Sequence, residues 1–471
     1  MASTTEDVKT GLVKGLGLFD STALVVGTMI GSGIFIVSSD IARQVGSPGL
    51  LLVVWLVSAA ITMTAALSYG ELAAAMPHAG GQYVYLREEF GPLSGFLYGW
   101  TLFLVIQTGT IAAVAVAFAK YLGVFIPWIA AGHYLPGTQF IRLDTQRLVA
   151  IALLVSLTWL NTRGVRTGAA AQNLFTAAKL SGVLGLAAVG LILAANPHAV
   201  SRNFGSWHAF WGNASLGWTT IRVVGVALVG ALFSSDAWNN ITFTAGEVKN
   251  PRRNVPLSLV LGVAIVTSLY LTLNVVYLRA LPLEAIQGAP EDRVATAAAS
   301  LLLGSIAVKL VALTIVLSTC GCVNGLVLMG ARVYYAMALD GLFFERAGKL
   351  DPVRHTPTAS LLMQCAWACL LTLSGRYSDL LDYVIFAVML FYILTIAGLF
   401  RLRRTQPDLE RPYRALGYPV LPALYIAAGT LVEILLLIYK PNFTWPGLII
   451  VLLGIPVYFL RTRRATSAPR S

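Results

Sequence analysis

The stretch Gly27-Thr28-Met29-Ile30-Gly31-Ser32-Gly33-Ile34-Phe35 places glycines and hydroxyls in the middle of an apolar run of membrane-spanning length, residues 18–38. In hydrocarbon, a backbone that stops being helical leaves N–H and C=O groups unpaired, so a break is tolerated only where it is buried in protein or lines a cavity. Two half-helices that meet at a break offer N–H groups to an anion and carbonyl groups to a cation. The stretch therefore predicts a binding site suited to a zwitterion, as in secondary transporters with discontinuous helices.

Composition fixes the broad class. Of the 471 residues, 57% are hydrophobic and 11% are charged, and the mean hydropathy is +0.75. These values exclude a soluble globular protein and indicate an all-α polytopic membrane protein. Residues 1–17 are polar, so we expect no cleavable signal peptide before the first span. At about 20 apolar residues a span, we expect twelve: 18–38, 49–75, 93–122, 147–160, 171–194, 220–246, 254–279, 304–337, 358–374, 379–400, 417–438 and 446–462.

Charge predicts the orientation of the chain. With both termini in the cytoplasm, 21 of the 33 lysines and arginines fall inside and 11 outside, while Lys179 alone lies within a span. This bias follows the positive-inside rule. The net charge of +12 is then explained by loops facing anionic lipid, and no nucleic-acid partner is expected. Glu71 and Glu247, at the inner ends of spans 2 and 6, are expected to form pairs with basic residues of cytoplasmic loops or to act in a gate.

A second interruption occurs in span 6. The apolar run from Ile221 to Phe233 gives way to Ser234-Ser235-Asp236-Ala237-Trp238-Asn239-Asn240 before it resumes at Ile241. These polar residues alternatively mark a loop between two spans, but residues 225–246 are too few for two. Interruptions at corresponding positions of two halves indicate a substrate site near the membrane midplane. We therefore expect a second broken helix in span 6.

Four motifs carry a family resemblance. They are 27–35, Tyr69-Gly70-Glu71-Leu72 followed by 77–87, 246–256, and Pro407-Asp408-Leu409-Glu410-Arg411-Pro412-Tyr413. Together they resemble the amino acid–polyamine–organocation superfamily, and the last two its L-type amino acid transporter branch. The resemblance implies a LeuT-like fold of twelve helices working by alternating access. Its parts would be a cytoplasmic tail 1–17, inverted five-helix repeats 18–194 and 220–400, helices 11 and 12 in 417–462, and a cytoplasmic tail 463–471.

The resemblance also implies a substrate site. The substrate carboxylate would bind the backbone N–H groups of Ser32 and Gly33, beside Gly31. The α-amino group would bind carbonyls of Met29, Ile30, Phe233, Ser234 and Asp236. Phe233 corresponds to an aromatic gate over the substrate. Ser235 and, around the substrate side chain, Gln107, Thr108, Cys322 and Met389 would complete a small neutral pocket.

Two charged residues within spans leave alternatives open. The resemblance places Lys179 where sodium-coupled relatives of the fold bind sodium, which implies that its ammonium substitutes for that ion; alternatively, the side chain could snorkel to the inner surface. Asp236 could pair with a cationic substrate side chain, titrate as a coupling proton site, or cap the second half of span 6.

The function expected from these features is sodium-independent transport of neutral L-amino acids across the plasma membrane, by exchange or facilitated movement. The alternatives are a proton-coupled symporter and a carrier of cationic amino acids or polyamines. A membrane enzyme is disfavoured because no catalytic motif is present, and we expect no cofactor or metal. Some relatives are disulfide-linked to a single-span glycoprotein through the loop 121–148; here that loop has no cysteine, so we expect no such subunit.

Overall fold

The computed structural model describes residues 11–134, 143–193, 196–214, 217–374 and 377–467. This part of the chain is helical, with no strand beyond two isolated β-bridges. Nine of its helices are long and apolar enough to cross a membrane, and the count becomes ten if the pair bent at the first break is one span. The prediction of an all-α polytopic membrane protein is thus confirmed.

The described part of the chain contains nineteen α-helices. In chain order they are α1 (Leu18–Met29), α2 (Gly33–Val45), α3 (Pro48–Ala75), α4 (Gln82–Phe90), α5 (Pro92–Thr101), α6 (Gln107–Leu122), α7 (Thr145–Thr162), α8 (Val165–Leu193), α9 (Pro197–Phe204), α10 (Trp207–Trp211), α11 (Trp218–Ser234), α12 (Pro251–Ala280), α13 (Leu283–Gln287), α14 (Val294–Leu303), α15 (Ser305–Leu339), α16 (Thr358–Ser374), α17 (Tyr377–Thr405), α18 (Val420–Tyr439) and α19 (Pro441–Ser467). A π-helical turn, Leu102–Ile106, joins α5 to α6, and the 3-10 helices are Trp238–Glu247, Pro290–Asp292 and Glu345–Gly348.

Several predicted span limits differ from the helices. The first span was expected to end at residue 38, but α2 continues to Val45 and stops at Gly46, whose φ of 66° is a left-handed C-terminal cap. The last helix, α19, extends beyond 446–462 at both ends. The predicted spans 147–160 and 358–374 correspond to α7 and α16, which lie outside the nine because they are short or carry polar ends.

One face of α8 holds the first half-helix in place. Asn173, Thr176 and Lys179 are three residues apart and therefore share a face of the helix. Asn173 donates to Asp20 at 2.7 Å, Thr176 donates to the carbonyl of Ala23 at 3.1 Å, and Lys179 donates to that of Gly27 at 2.6 Å. Glycine at position 27 permits this close approach, because a Cβ there would lie 2.0 Å from Gln172 Nε2 and 2.6 Å from Thr176 Oγ1. The contacts align α1 along α8 up to the first break.

The side of the protein on which residues 11–17 lie, called the N-terminal side below, is closed by backbone bonds and buried ion pairs. The N–H groups of Gly15 and Leu16 donate to the Glu247 carbonyl at 2.9 and 3.0 Å. The Glu247 carboxylate accepts two bonds from Arg332, and both side chains are 1% exposed. Glu71 pairs with Arg403 at 2.6 Å. Glu71 and Glu247 thus each form the expected pair with a basic residue, although Arg403 and Arg332 belong to the helices α17 and α15 and not to loops.

Candidate functional site

The first span breaks where its glycines and hydroxyls predict. Helix α1 ends at Met29, Ile30 adopts an extended conformation with ψ of 92°, and α2 begins at Gly33. The two half-helices are bent by 42° relative to each other. The N-terminal turn of α2 therefore points its orphan N–H groups and positive dipole end toward the break, as an anion site requires.

Lys179 is bound to the carbonyls of this break. Its ammonium donates to the carbonyl oxygens of Gly27 at 2.6 Å, Ile30 at 2.8 Å and Ser318 at 3.0 Å, and the residue is 0% exposed. An ammonium has three N–H donors, so all of them are used. The snorkelling alternative is wrong, because the side chain is directed into the protein and not toward the membrane surface.

The second break is narrower than the sequence predicts. Helix α11 ends at Ser234, and Ala237 has a φ of 65°, a left-handed conformation that stops the helix. The chain then continues as a 3-10 helix from Trp238 to Glu247, where we expected the non-helical segment to reach residue 240. The break is therefore confined to Ser235, Asp236 and Ala237.

The two breaks touch each other. The Thr28 hydroxyl donates to the Ala237 carbonyl at 3.1 Å. The Tyr270 hydroxyl of α12 lies 3.0 Å from the carbonyl oxygen of Met29 and 3.1 Å from that of Ser234, so a single side chain joins both broken ends. A Cβ at position 33 would lie 2.2 Å from Ser234 Oγ, so glycine at this position permits the close approach of the two breaks.

A small cavity of about 20 Å³ lies between the breaks. Its volume admits one or two water-sized groups, so entry of a larger molecule requires the surrounding helices to move. Seven of the predicted substrate residues contribute to the lining, together with Cys322 from the predicted side-chain pocket. The lining consists of Thr28, Met29, Gly31, Ser32, Gly33, Thr110, Val114, Phe233, Ser234, Asp236, Ala237 and Cys322.

Other predicted residues lie outside this cavity. Ile30 faces Lys179, while Ser235 and Met389 line a neighbouring cavity that also reaches Asp236. Gln107 lines a third cavity at Asp236 and donates to the Leu326 carbonyl at 2.8 Å. Thr108 lines none of the three. Its hydroxyl donates to the carbonyl of Phe103, five residues back in the π-helical turn, and Thr110 lines the cavity instead.

Asp236 belongs to a buried hydrogen-bonded network. Its carboxylate accepts from the Tyr392 hydroxyl at 2.7 Å, and that hydroxyl lies 3.0 Å from Asn239 Oδ1. Asn239 donates to Gln82 at 2.8 Å, and Gln82 donates to Thr395 at 3.1 Å. The capping alternative for Asp236 is not supported, because the residue that precedes the 3-10 helix is Ala237 and no side chain caps that helix.

Sequence reasoning missed several residues that hold the breaks. Tyr270 and Tyr392 lie in apolar helices, and nothing in their neighbourhood in the sequence distinguishes them from packing tyrosines. Ser318 donates to the Ile30 carbonyl at 2.8 Å, and its spacing of four residues from Cys322 places both on one face of α15. That spacing was a usable signal for Ser318.

Comparison with known proteins shows the family. The amino acid permease family model matches residues 16–459, nearly the whole chain. The chain belongs to the amino acid permease family. The permease is 30% identical over 453 residues to Asc-type amino acid transporter 1 of Mus musculus. The aligned region covers 96% of the permease and 82% of that relative.

Two further relatives have similar coverage. Large neutral amino acids transporter small subunit 2 of Homo sapiens is 31% identical over 460 residues, covering 95% of the permease and 80% of the relative. The b(0,+)-type amino acid transporter 1 of Mus musculus is 30% identical over 463 residues, covering 97% and 89%. The resemblance to the L-type branch of the superfamily is confirmed. The permease is a multi-pass membrane transporter and not an enzyme.

Proposed function

We propose that this permease carries neutral L-amino acids by alternating access, without sodium, as an exchanger or facilitator in the cell membrane. The observation that carries the proposal is the cavity where both breaks meet, because it offers backbone dipoles of both signs and a lining of small neutral side chains. The names of the relatives, which are amino acid transporters, support the same substrate class.

The substrate carboxylate is proposed to bind at Ser32 and Gly33, at the N-terminal end of α2. The α-amino group is proposed to bind carbonyls of Met29, Phe233, Ser234 and Asp236. Ile30 was predicted for the same role, but its carbonyl oxygen already accepts from Lys179 and Ser318 and has only two lone pairs. We therefore do not include Ile30 among the groups that bind the α-amino group. The single proton of the Tyr270 hydroxyl satisfies only one of the carbonyls of Met29 and Ser234 at a time, which leaves acceptor capacity for an ammonium.

Sodium independence is proposed from Lys179. Its ammonium takes the contacts with broken-helix carbonyls that a bound cation would make, and it is covalently fixed in α8. A permanent cation at this position removes the need for a diffusible one. The charge also compensates the negative dipole end of α1.

We further propose twelve spans, with inverted five-helix repeats over 18–194 and 220–400, added helices over 417–462, and cytoplasmic tails 1–17 and 463–471. The N-terminal side would then be cytoplasmic, as the excess of lysine and arginine there supports. One relative is named a small subunit. For this permease we propose function without a disulfide-linked partner, because Cys320, Cys322, Cys365 and Cys369 all lie in α15 and α16.

Uptake into proteoliposomes tests the proposal. Labelled leucine should enter liposomes preloaded with unlabelled leucine, and replacement of sodium by choline should leave the initial rate unchanged. Leucine methyl ester should fail to compete, because it lacks the carboxylate that Ser32 and Gly33 are proposed to bind. A strict sodium requirement, or competition by the ester equal to that of leucine, would refute the proposal.

A carrier of cationic amino acids or polyamines is the second candidate. It is favoured by one observation, the Asp236 carboxylate, which lines all three cavities around the breaks. The same assay decides between the two candidates. If the permease is a carrier of cationic amino acids, an excess of unlabelled arginine should abolish leucine uptake, and labelled arginine should accumulate faster than leucine.

A further inference from the structure

A carboxyl group lies buried on the N-terminal side, outside the site described above. Glu89, near the end of α4, is 3% exposed, and neither of its oxygens has a hydrogen-bond partner among the residues that the structure describes. The side chain packs against α17, where a Cβ at Gly398 would lie 1.9 Å from Glu89 Oε2. The glycine therefore makes the space that the carboxyl occupies.

The basic groups around Glu89 are engaged elsewhere. On α4, Arg87 pairs with Glu88 and Asp340; on α17, Arg403 pairs with Glu71 and Arg401 lies over the Phe90 ring. The 3-10 helix contributes Glu247, which is paired with Arg332. The other titratable or charged residues of α4 and of the elements packed on it are Tyr83, Tyr85, Tyr98, Tyr392 and Arg404, and at the opposite, N-terminal end of α17 Tyr377, Asp379, Asp382 and Tyr383. Tyr69 of α3 adds its ring against Tyr85. The described contacts thus give the carboxyl no cation.

Helix α4 connects this carboxyl to the second break. Its first residue, Gln82, bonds to Asn239 and to Thr395, and Asn239 lies within hydrogen-bond distance of the Tyr392 hydroxyl that binds Asp236. Thr395 and Gly398 are three residues apart on α17, so both ends of α4 contact the same face of that helix. Separation of α4 from α17 would therefore break the bond from Gln82 to Thr395 and admit water to Glu89 together.

An ionised carboxylate without a partner is costly to bury, and protonation removes that cost. Burial raises the pKa of the Glu89 carboxyl well above its ordinary value. The closed arrangement of α4 on α17 therefore binds a proton more tightly than an arrangement in which water reaches the carboxyl.

We propose that Glu89 is a proton-binding residue of the cytoplasmic gate, which takes up a proton when α4 closes on α17 and returns it when they separate. The inference rests on the proposed transport function and on the proposed cytoplasmic location of the N-terminal side. The proton comes from cytoplasmic water and goes back to it, so one transport cycle moves no net proton through this residue.

The sign of the pH effect follows from this linkage. Between the ordinary pKa of a glutamate and the raised pKa of the closed form, each rise in pH disfavours closure, by up to about tenfold per pH unit. Alkaline internal pH should therefore slow every cycle that includes closure of the cytoplasmic side. External pH should have no such effect through Glu89, because the gate faces inward.

The test is leucine exchange in proteoliposomes of one orientation, with internal pH varied from about 6.5 to about 8 and external pH held constant. We expect the wild-type rate to fall by about threefold or more as internal pH rises. Glu89→Gln, which has the shape of the protonated residue, should exchange at every internal pH as fast as the wild type does at the acidic end. Glu433→Gln is the matched control, because Glu433 is also buried without a hydrogen-bond partner in the described part of the chain but lies in α18, away from α4.

The outcomes separate the two proposals. A wild-type protein that exchanges leucine with no dependence on internal pH would overturn the role of Glu89 and leave the transport proposal intact. Glu89→Gln with an unchanged pH profile, or Glu433→Gln with an equally flattened one, would also overturn it. A wild-type protein with no leucine exchange at any pH would instead refute the transport function.

Discussion

The two breaks that form the site are held open by different chemistry. At the first break, backbone carbonyls are bound by the Lys179 ammonium and the Ser318 hydroxyl, both fully buried. At the second, side chains of Asp236, Asn239 and Tyr392 bind one another, and all three small cavities reach Asp236. At the first break a charged side chain binds backbone carbonyls, which no substitution can remove. The second break is held by side chains, which substitution can change.

This difference assigns different tasks to the breaks. Every amino acid has the same α-carboxylate and α-ammonium groups. A site for these two groups can therefore be built from backbone and held by one cation that is part of the protein. Amino acids differ in their side chains, so selectivity has to come from side chains of the protein. We therefore expect substitutions that disturb the first break to reduce all transport, and those that remove a side-chain contact at the second break to change substrate preference or rate.

The largest expected effect is that of Lys179→Ala. The change leaves the carbonyls of Gly27, Ile30 and Ser318 without their ammonium donor, at a total cost of about 3 kcal/mol or more. We expect the exchange of leucine and of every other substrate to be lost. The measurement compares equal amounts of monodisperse protein. Lys309→Ala, at an exposed lysine of α15, is the control and should exchange normally. Normal exchange by Lys179→Ala would show that the first break does not depend on this cation.

The next effect compares two glycines of the first break. A Cβ at position 33 would lie 2.2 Å from Ser234 Oγ and 3.1 Å from the Ser234 Cα, whereas one at position 31 would meet Cys322 Sγ at an ordinary 3.6 Å. Gly33→Ala should therefore force the breaks apart and lower exchange by at least about tenfold, and Gly31→Ala should lower it much less. Initial rates of leucine exchange measure the difference, and equal rates would mean that the contact between the breaks is dispensable.

Ser32→Ala should have a smaller effect. It removes a hydroxyl but leaves the backbone N–H groups at the start of α2, so apparent affinity should weaken by about 0.5–1.5 kcal/mol for all substrates alike. The half-saturation concentrations of leucine and of a smaller amino acid such as alanine give the measurement. A change confined to one of the two would assign Ser32 to the side-chain pocket and not to the carboxylate.

The smallest effect is expected for Asp236→Asn. The amide oxygen can still accept from Tyr392, so the ratio of leucine to arginine uptake should stay within about twofold of the wild-type ratio. Uptake of both amino acids in parallel gives the ratio. Selective loss of arginine uptake would show that the carboxylate recognises a cationic side chain, and the second candidate function would replace the first.

The sequence is informative about backbone continuity. Glycines and hydroxyls between 27 and 35, and Ser-Ser-Asp at 234–236, predicted breaks at two places, and both spans are broken there. The reason is local: in an apolar span, polar residues and glycines lower the stability of a continuous helix and are retained only with partners. Lys179 stood out on the same ground, because a charge within an apolar span has to be buried against acceptors.

What the sequence by itself determined is therefore the membrane class, the two breaks and the buried cation. The tertiary structure decided which atoms meet. Thr28 and Ala237 are 209 positions apart and Tyr270 and Met29 are 241 apart, so their contacts depend on how whole helices pack. Thr110 rather than Thr108 lines the cavity between the breaks, and Thr108 instead donates to a carbonyl of the π-helical turn, which the sequence did not predict. Neighbouring residues determine whether a helix continues or breaks. A hydrogen bond between distant residues forms only when the helices that carry its donor and acceptor pack against each other.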